Sequence, residues 1–210
     1  LTHQYTSSGT FNIVVTNLSG QQIATLQVVS TYGGQGNVIT NLDIKSSTLF
    51  TGIYLSGSGP VNVGDSKQNT IGAASGNNAI LFKGITSTNN VYGIQNYNTG
   101  AALIKNNIIG SITASTTSSL YSVNVYGIII SSFGINTLKI INNTIGSMDG
   151  TTTNSIASTS SATSYVQNVK GIYSPLTSYS AQIIGNTISK LYNAGTGTLL
   201  HTVQGIGVSG

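Results

Sequence analysis

The octet KIINNTIG, Lys139 to Gly146, has near-copies elsewhere in the chain: SKQNTIG ending at Gly72, LIKNNIIG ending at Gly110 and QIIGNTIS ending at Ser189. Within it Ile140 and Ile145 stand five residues apart. Side chains alternate faces along a strand, so an odd spacing would send the two isoleucines to opposite sides. Both recur in the copies, and a bend between them is therefore expected. Asn is the non-glycine residue that best tolerates a left-handed backbone, and Gly185 stands where two other copies have Asn106 and Asn142. A positive φ is expected at Gln68, Asn106, Asn142 and Gly185, with Gln68 the poorest fit. The second Asn is present in all four copies, as Asn69, Asn107, Asn143 and Asn186. Amides stacked in one column bond to each other and to the corner backbone, as buried polar groups require. An internal asparagine ladder is predicted.

A second landmark alternates with the first: an apolar residue, any residue, then Gly-Ile, at Gly52, Gly93, Gly127, Gly171 and Gly205. These are read as corner glycines. Gly-to-Gly steps are 41, 34, 44 and 34 residues, and Asn-to-Asn steps are 38, 36 and 43. From each Gly to the next Asn the distance is nearly constant, whereas the return half varies. The variable half holds SITASTTSSLYS (Ser111 to Ser122) and SMDGTTTNSIASTSSATSYVQN (Ser147 to Asn168). Such stretches suit strand ends and surface loops.

No window shows a helical period. Ile, Val, Thr and Tyr abound, which favours strands. The repeat is therefore all-β, and a propeller, a sandwich and a β-solenoid all have short repeated strands. Periodic Asn-Gly or Asp-Gly hairpin turns are missing, and the strongest repeated signal is a corner. The expectation is a single-stranded parallel β-helix of about five coils over residues 36–210. Its predicted interior columns are Ile104, Ile140, Ile183; Ile71, Ile109, Ile145, Ile188; and Ile53, Ile94, Ile128, Ile172, Ile206. GNVITNLDI (Gly36 to Ile44) reads as the first regular corner, with Thr40 in the ladder position. No stacked Thr column is expected. Residues 1–35 differ, and read as two strands around Asn17 to Gly20. They are an end cap, a first coil or the remnant of a separate domain.

Charged residues make up only 5% of the chain, with seven Lys, three Asp, no Arg, no Glu and no Cys. Scattered Lys without Arg argues against nucleic acid. Absence of Cys excludes disulfides and Cys-based zinc sites. No apolar run approaches the roughly 18 residues of a spanning helix, so membrane insertion is not expected. The carboxylates Asp43, Asp65 and Asp149 are read as turn caps. They lack the pairing that glycoside hydrolysis needs and the periodicity of calcium repeats. His3 and His201 fall in an irregular segment and a loop. No catalytic residue, metal ligand or cofactor is expected, and the chain is read as a non-enzyme. Asn17-Leu18-Ser19 and Asn142-Asn143-Thr144 match the sugar-acceptor pattern; the second is assigned to the corner. Tyr92 and Tyr126 share a column with Thr51, Lys170 and Gln204, and are the candidate surface contact for sugars or a partner.

The [Val/Phe]-x-Gly-Ile and Ile-x-x-Asn-x-Ile units resemble right-handed parallel β-helix repeats. Their Ser/Thr/Asn-rich style, as in NNTIGS and VYGI, is similar to Bacteroidetes-type secreted surface and adhesin-like repeat proteins. That resemblance covers about residues 38 to 210 and implies right-handedness, export to the cell surface and embedding in longer chains. The N-terminal segment resembles the closing edge of a PKD-type immunoglobulin-like domain over about 15 residues. The expected function is an extracellular structural module, a segment or subunit of a surface fibre, sheath or adhesin stalk. The end at VQGIGVSG reads as mid-coil, so the expected partner is the continuing parent chain or another copy stacked end to end. The alternative is a module binding polysaccharide or cell-surface glycans through the variable loops.

Overall fold

A computed structural model describes residues 9–16, 22–30, 36–46, 48–85, 87–132, 137–175 and 180–208. All regular structure among them is β-strand. From residue 38 onward the chain winds through four sheets in turn and repeats the circuit, which makes a parallel β-helix. Sheet 1 holds Val38–Thr40, Thr70–Gly72, Ile108–Gly110, Thr144–Ile145 and Thr187–Ile188. Sheet 2 holds Leu42–Ser46, Ile80–Gly84, Ile112–Thr116, Ile156–Ser158 and Leu191–Asn193. The longest strands form sheet 3: Leu49–Gly57, Asn89–Asn98, Val123–Ile130, Asn168–Ser174 and Thr202–Val208. Val61–Val63, Ala102–Lys105, Leu138–Ile141 and Ala181–Ile184 form sheet 4. Every strand of these sheets pairs in parallel with its counterpart one coil away.

Parallel register puts like residues in columns about 4.8 Å apart. All three expected isoleucine columns form, the first headed by Val63 and the second by Ile39. A fourth interior column, Leu42, Ile80, Ile112, Ile156 and Leu191, lies in sheet 2. It sits in the half of the repeat that looked like loop. Ile71, Ile80, Ile94, Ile104, Ile109, Ile112, Ile128, Ile140, Ile145 and Ile156 have no exposed surface. Full burial of one such side chain contributes about 1.5–3 kcal/mol. Sheet 1 also carries an outward column of Val38, Thr70, Ile108, Thr144 and Thr187. A partial Thr column therefore exists, against expectation, because Thr alternates with the buried isoleucine in a strand two or three residues long.

The five Gly-Ile glycines lie inside the strands of sheet 3 and do not end them. None has a positive φ. In Gly52, Gly93, Gly127 and Gly171 the requirement is space: a Cβ on Gly127 would stand 2.6 Å from the Gly171 carbonyl oxygen and 2.6 Å from Ile145 Cγ2, whereas one on Gly205 would meet nothing within 4 Å. Gly93 faces Ile109 and Gly171 faces Ile188 in the same way. Sheet 3 thus approaches the isoleucine column of sheet 1 across the interior. The residue after each glycine also points inward, as the full burial of Ile94 and Ile128 shows. The strand bends there without leaving the sheet.

The N-terminal segment forms an antiparallel hairpin, Gly9–Thr16 with Gln22–Ser30. Its second strand pairs antiparallel with Val38–Thr40 through Gln27 with Thr40 and Val28 with Ile39, so the hairpin borders sheet 1. His3, Asn17 and the turn around Asn17 to Gly20 lie outside the described residues. No helix among the described residues is long and apolar enough to cross a membrane.

Candidate functional site

The link from sheet 4 to sheet 1 is two residues long in three coils: Asn106-Asn107, Asn142-Asn143 and Gly185-Asn186. So short a link must turn sharply, and Asn106, Asn142 and Gly185 have φ of 58°, 54° and 64°. Gln68 does not. The first coil carries an insertion, residues 64–68, and Gly64 takes the left-handed position with φ 81°. The extra residues spread the turn and relieve Gln68 of the strain.

The second residue of each link points inward. Asn69 Nδ2 donates to Asn107 Oδ1 at 2.8 Å, Asn107 Nδ2 to Asn143 Oδ1 at 2.9 Å, and Asn143 Nδ2 to Asn186 Oδ1 at 2.9 Å. Asn37, not Thr40, is the remaining rung, with Nδ2 3.2 Å from Asn69 Oδ1. The reason is register: Val38 pairs with Thr70, which sets Asn37 opposite Asn69. The Oδ1 atoms of Asn69, Asn143 and Asn186 also accept from a backbone N–H, as from Asn107 N to Asn143 Oδ1 at 2.9 Å. The second amide hydrogen reaches back one coil, from Asn143 Nδ2 to the Ile104 carbonyl at 2.9 Å. Every hydrogen-bonding group of Asn143 is thereby used inside an apolar wall, which is what makes buried polarity tolerable.

A second column of amides runs along the opposite face of sheet 3 from Val91 and Val125. Asn124 Nδ2 donates to Asn90 Oδ1 at 3.0 Å, Asn168 Nδ2 to Asn124 Oδ1 at 3.1 Å, and Thr202 Oγ1 to Asn168 Oδ1 at 2.7 Å. Its donors point toward the N-terminal coils, opposite to the inner ladder. The signal was present in sequence as NVYGI, NVYGI, NVKGI and TVQGI; the landmark was read one residue too short. The link from sheet 1 to sheet 2 is a further left-handed corner, at Asn41, Ser111 and Lys190. No shared residue type marks it, so sequence did not reveal it.

The three carboxylates are separated and engaged. Asp43 lies within a strand of sheet 2 and pairs with Lys83 at 2.9 Å, so it is not a turn cap. Asp65, in the insertion, pairs with Lys105 at 3.2 Å. Asp149 does cap a turn: Oδ1 accepts from Thr151 N at 2.8 Å, and Oδ2 from Thr152 Oγ1 at 2.6 Å and Ser147 Oγ at 2.9 Å. The Thr152 bonds, with help from Ser147 and Thr151, hold its carboxyl well below the usual carboxylate range. His201 braces a loop, with Nδ1 3.1 Å from Gln167 N and Nε2 3.1 Å from Gly197 N, so either backbone N–H can donate to the ring. A neutral imidazole accepts on one nitrogen at a time. No group of three metal-ligating side chains occurs among the described residues.

Tyr92 and Tyr126 do share a column with Thr51, Lys170 and Gln204. They are nevertheless only 8% and 9% exposed, too little for a contact surface. Their rings pack on each other at 5.5 Å, and Tyr126 packs on Tyr173 at 5.8 Å. Burial, reinforced by neighbouring tyrosines, raises both phenol pKa values. The exposed aromatics among the described residues are elsewhere: Tyr54 with Tyr97 at 6.0 Å, Tyr165, stacked on Tyr121 at 5.3 Å, and Tyr192. No protein-family model, curated protein or solved structure matches the chain.

Proposed function

We propose that the chain is a non-enzymatic extracellular structural module, a segment or subunit of a cell-surface fibre, sheath or adhesin stalk. One observation carries this reading: the interior columns and the asparagine ladder run in register through every coil. Each coil repeats the same bonds to the next, which suits a stiff spacer that holds other parts at a distance. The engagement of Asp43, Asp65 and Asp149 in separate structural contacts supports a role without acid/base chemistry. Labelling intact cells of the source organism with a membrane-impermeant reagent tests it. The chain should be labelled before lysis; labelling only after lysis would refute a surface role.

The alternative is glycan binding. It is favoured by the two tyrosine pairs Tyr54–Tyr97 and Tyr121–Tyr165, in which Tyr54, Tyr97 and Tyr165 are exposed. Aromatic rings stack on the apolar faces of sugars. A glycan array should then give hits that Tyr54→Ala with Tyr97→Ala weakens; an array without hits removes this reading.

A further inference from the structure

We propose that Tyr121 with Tyr165, and Tyr54 with Tyr97, are sites of oxidative coupling, at which hydrogen peroxide acting through a one-electron oxidant of the peroxidase class joins the two rings and ties one coil to the next. Such a bond is separate from the surface role proposed above and does not depend on it.

The chain has 11 tyrosines and no cysteine, so a disulfide cannot tie its coils. Tyr121 and Tyr165 stand in the links between sheets 2 and 3 of the third and fourth coils. Those links are stacked in register: Thr163 N donates to the Ser119 carbonyl at 2.9 Å, and Thr163 Oγ1 to the same oxygen at 3.2 Å. The offset is 44 residues, as it is between Asn124 and Asn168 in the adjoining strands, and it sets Tyr165 over Tyr121. Ser118 Oγ accepts from Leu120 N at 3.1 Å and Tyr121 N at 3.3 Å, which holds the first of the two links in shape. The rings stack with centroids 5.3 Å apart and planes 29° from parallel. Tyr165 is exposed and Tyr121 half-buried. Tyr54 and Tyr97 repeat the arrangement on the outer face of sheet 3, one coil apart. Ser56 pairs with Tyr97, so Tyr54, two residues earlier on the same face, is a diagonal neighbour. Their centroids are 6.0 Å apart, and both rings are exposed.

In the coupling each phenol gives up one electron and its O–H proton and becomes a phenoxyl radical. The two radicals join through ring carbons beside the oxygens, and the hydrogen on each of those carbons moves to its oxygen, which restores two phenols. Hydrogen peroxide takes up the two electrons and two protons and leaves as two water molecules. The step needs an outlet for the protons and room for the rings to meet edge to edge. Closeness alone does not supply these. Tyr92 and Tyr126 stand as near, at 5.5 Å, but both are buried, and burial raises their phenol pKa values. Their protons have no ready path to water, and their rings are held by what covers them. The two exposed pairs release protons to solvent and have space to turn.

The test treats the full chain, dilute enough to keep molecules apart, with a haem peroxidase and hydrogen peroxide. The monomer should gain dityrosine fluorescence and lose two hydrogen atoms in mass for each bond. Its protease digest should contain one peptide joining Tyr121 to Tyr165 and one joining Tyr54 to Tyr97. Tyr121→Phe keeps the ring packing and removes the O–H, so it should abolish the first joined peptide and leave the second. Tyr97→Phe should do the reverse, and the double variant should lose the fluorescence of the monomer. Each bond closes a loop of one coil in the unfolded chain, which restricts that state as a disulfide does. The coupled monomer should therefore unfold at a higher denaturant concentration than the untreated one. Absence of either joined peptide overturns the assignment of that pair. Coupling mainly at Tyr92 and Tyr126 or between chains, fluorescence that survives the double Phe variant, or an unchanged unfolding midpoint overturns the proposal as a whole. None of these readouts depends on where the chain resides, so their failure would leave the surface reading standing.

Discussion

The link from sheet 4 to sheet 1 and the link from sheet 2 to sheet 3 both turn the chain between strands, but they do so differently. In the first, the same amide recurs in each coil and every inward polar group of Asn107 and Asn143 is paired. In the second, length and chemistry drift from coil to coil. The inward column ending sheet 2 runs Ile44, Phe82, Ala114, Ser158, Asn193, from apolar to polar. Gln167 Nε2 bridges Asn193 Oδ1 at 2.7 Å and the Ser160 carbonyl at 3.0 Å, a solution used in one place only. Of six buried side-chain atoms with no hydrogen-bond partner among the described residues, four lie on this side, Asn89 Oδ1, Ser122 Oγ, Ser158 Oγ and Gln167 Oε1, two lie at the far end of a sheet 3 strand, Asn96 Nδ2 and Asn98 Oδ1, and none lies on the ladder. A two-residue link leaves one workable geometry, so one residue type must recur. A long link has many, and each coil finds its own.

The strongest way to break that contrast is Asn143→Ala. It orphans the Asn107 donors and the Ile104 carbonyl, and each orphaned buried group costs about 1–3 kcal/mol. Denaturant unfolding should show a loss of about 3 kcal/mol or more, whereas Ser158→Ala, which removes an unpaired hydroxyl, should be neutral or stabilising. An equal effect at both sites would erase the distinction. Next is Gly127→Ala, which forces a methyl against Ile145 and the neighbouring strand. Overpacking of this kind costs about 1–3 kcal/mol. Combining it with Ile145→Ala, which removes the Cγ2 that the new methyl meets, should cost less than the sum of the two single changes in a double-mutant cycle, and strict additivity would show that the two do not meet. Asn142→Ala, at φ 54°, should cost about 1–2 kcal/mol, while Asn142→Gly should be close to neutral by thermal melting.

A smaller effect is expected at Asp149, in the variable half. Its folded pKa is depressed, so its contribution is complete above the unfolded carboxylate value near ~3.9 and is lost as pH falls through the folded value. Melting temperature compared between wild type and Asp149→Asn should differ at pH 6 and converge as pH is lowered below about 3. A constant gap would mean that the carboxylate's charge is irrelevant to its turn. The smallest effect is expected from a Gly-Ser insertion after the exposed Ser161, in the link between sheets 2 and 3. It should stay within about 0.5 kcal/mol. The same insertion after Asn142 should unfold the coil.

Legibility followed the same division. KIINNTIG announced the corner, the ladder and two isoleucine columns because identical geometry had selected identical residues four times over. Sheet 2 was hidden, since the insertions at 73–79 and 147–155 shift its phase and Ser, Thr and Ala dilute its pattern. The outer amide column was not legible in NVYGI, which displays it twice, because an Asn that stacks outside a sheet has the same local sequence as one that only faces solvent. Asn37 was missed for a different reason. TNLDI imitates the corner motif, and only the pairing of Val38 with Thr70 reveals which Asn is in register.

By itself the sequence determined the all-β repeat, three of its interior columns and four residues of the inner ladder, Asn69, Asn107, Asn143 and Asn186, because period and residue type are local properties that survive without coordinates. Tertiary structure alone decided the rest. It showed that four of the Gly-Ile glycines make room for a facing isoleucine and do not form corners, that Tyr92 and Tyr126 are covered, and that Asn37, not Thr40, stands in the ladder. Those facts depend on what stands across the interior or one coil away, and residues 34 to 44 positions distant in sequence, as Val91, Val125 and Val169 are, become neighbours only when the coil closes.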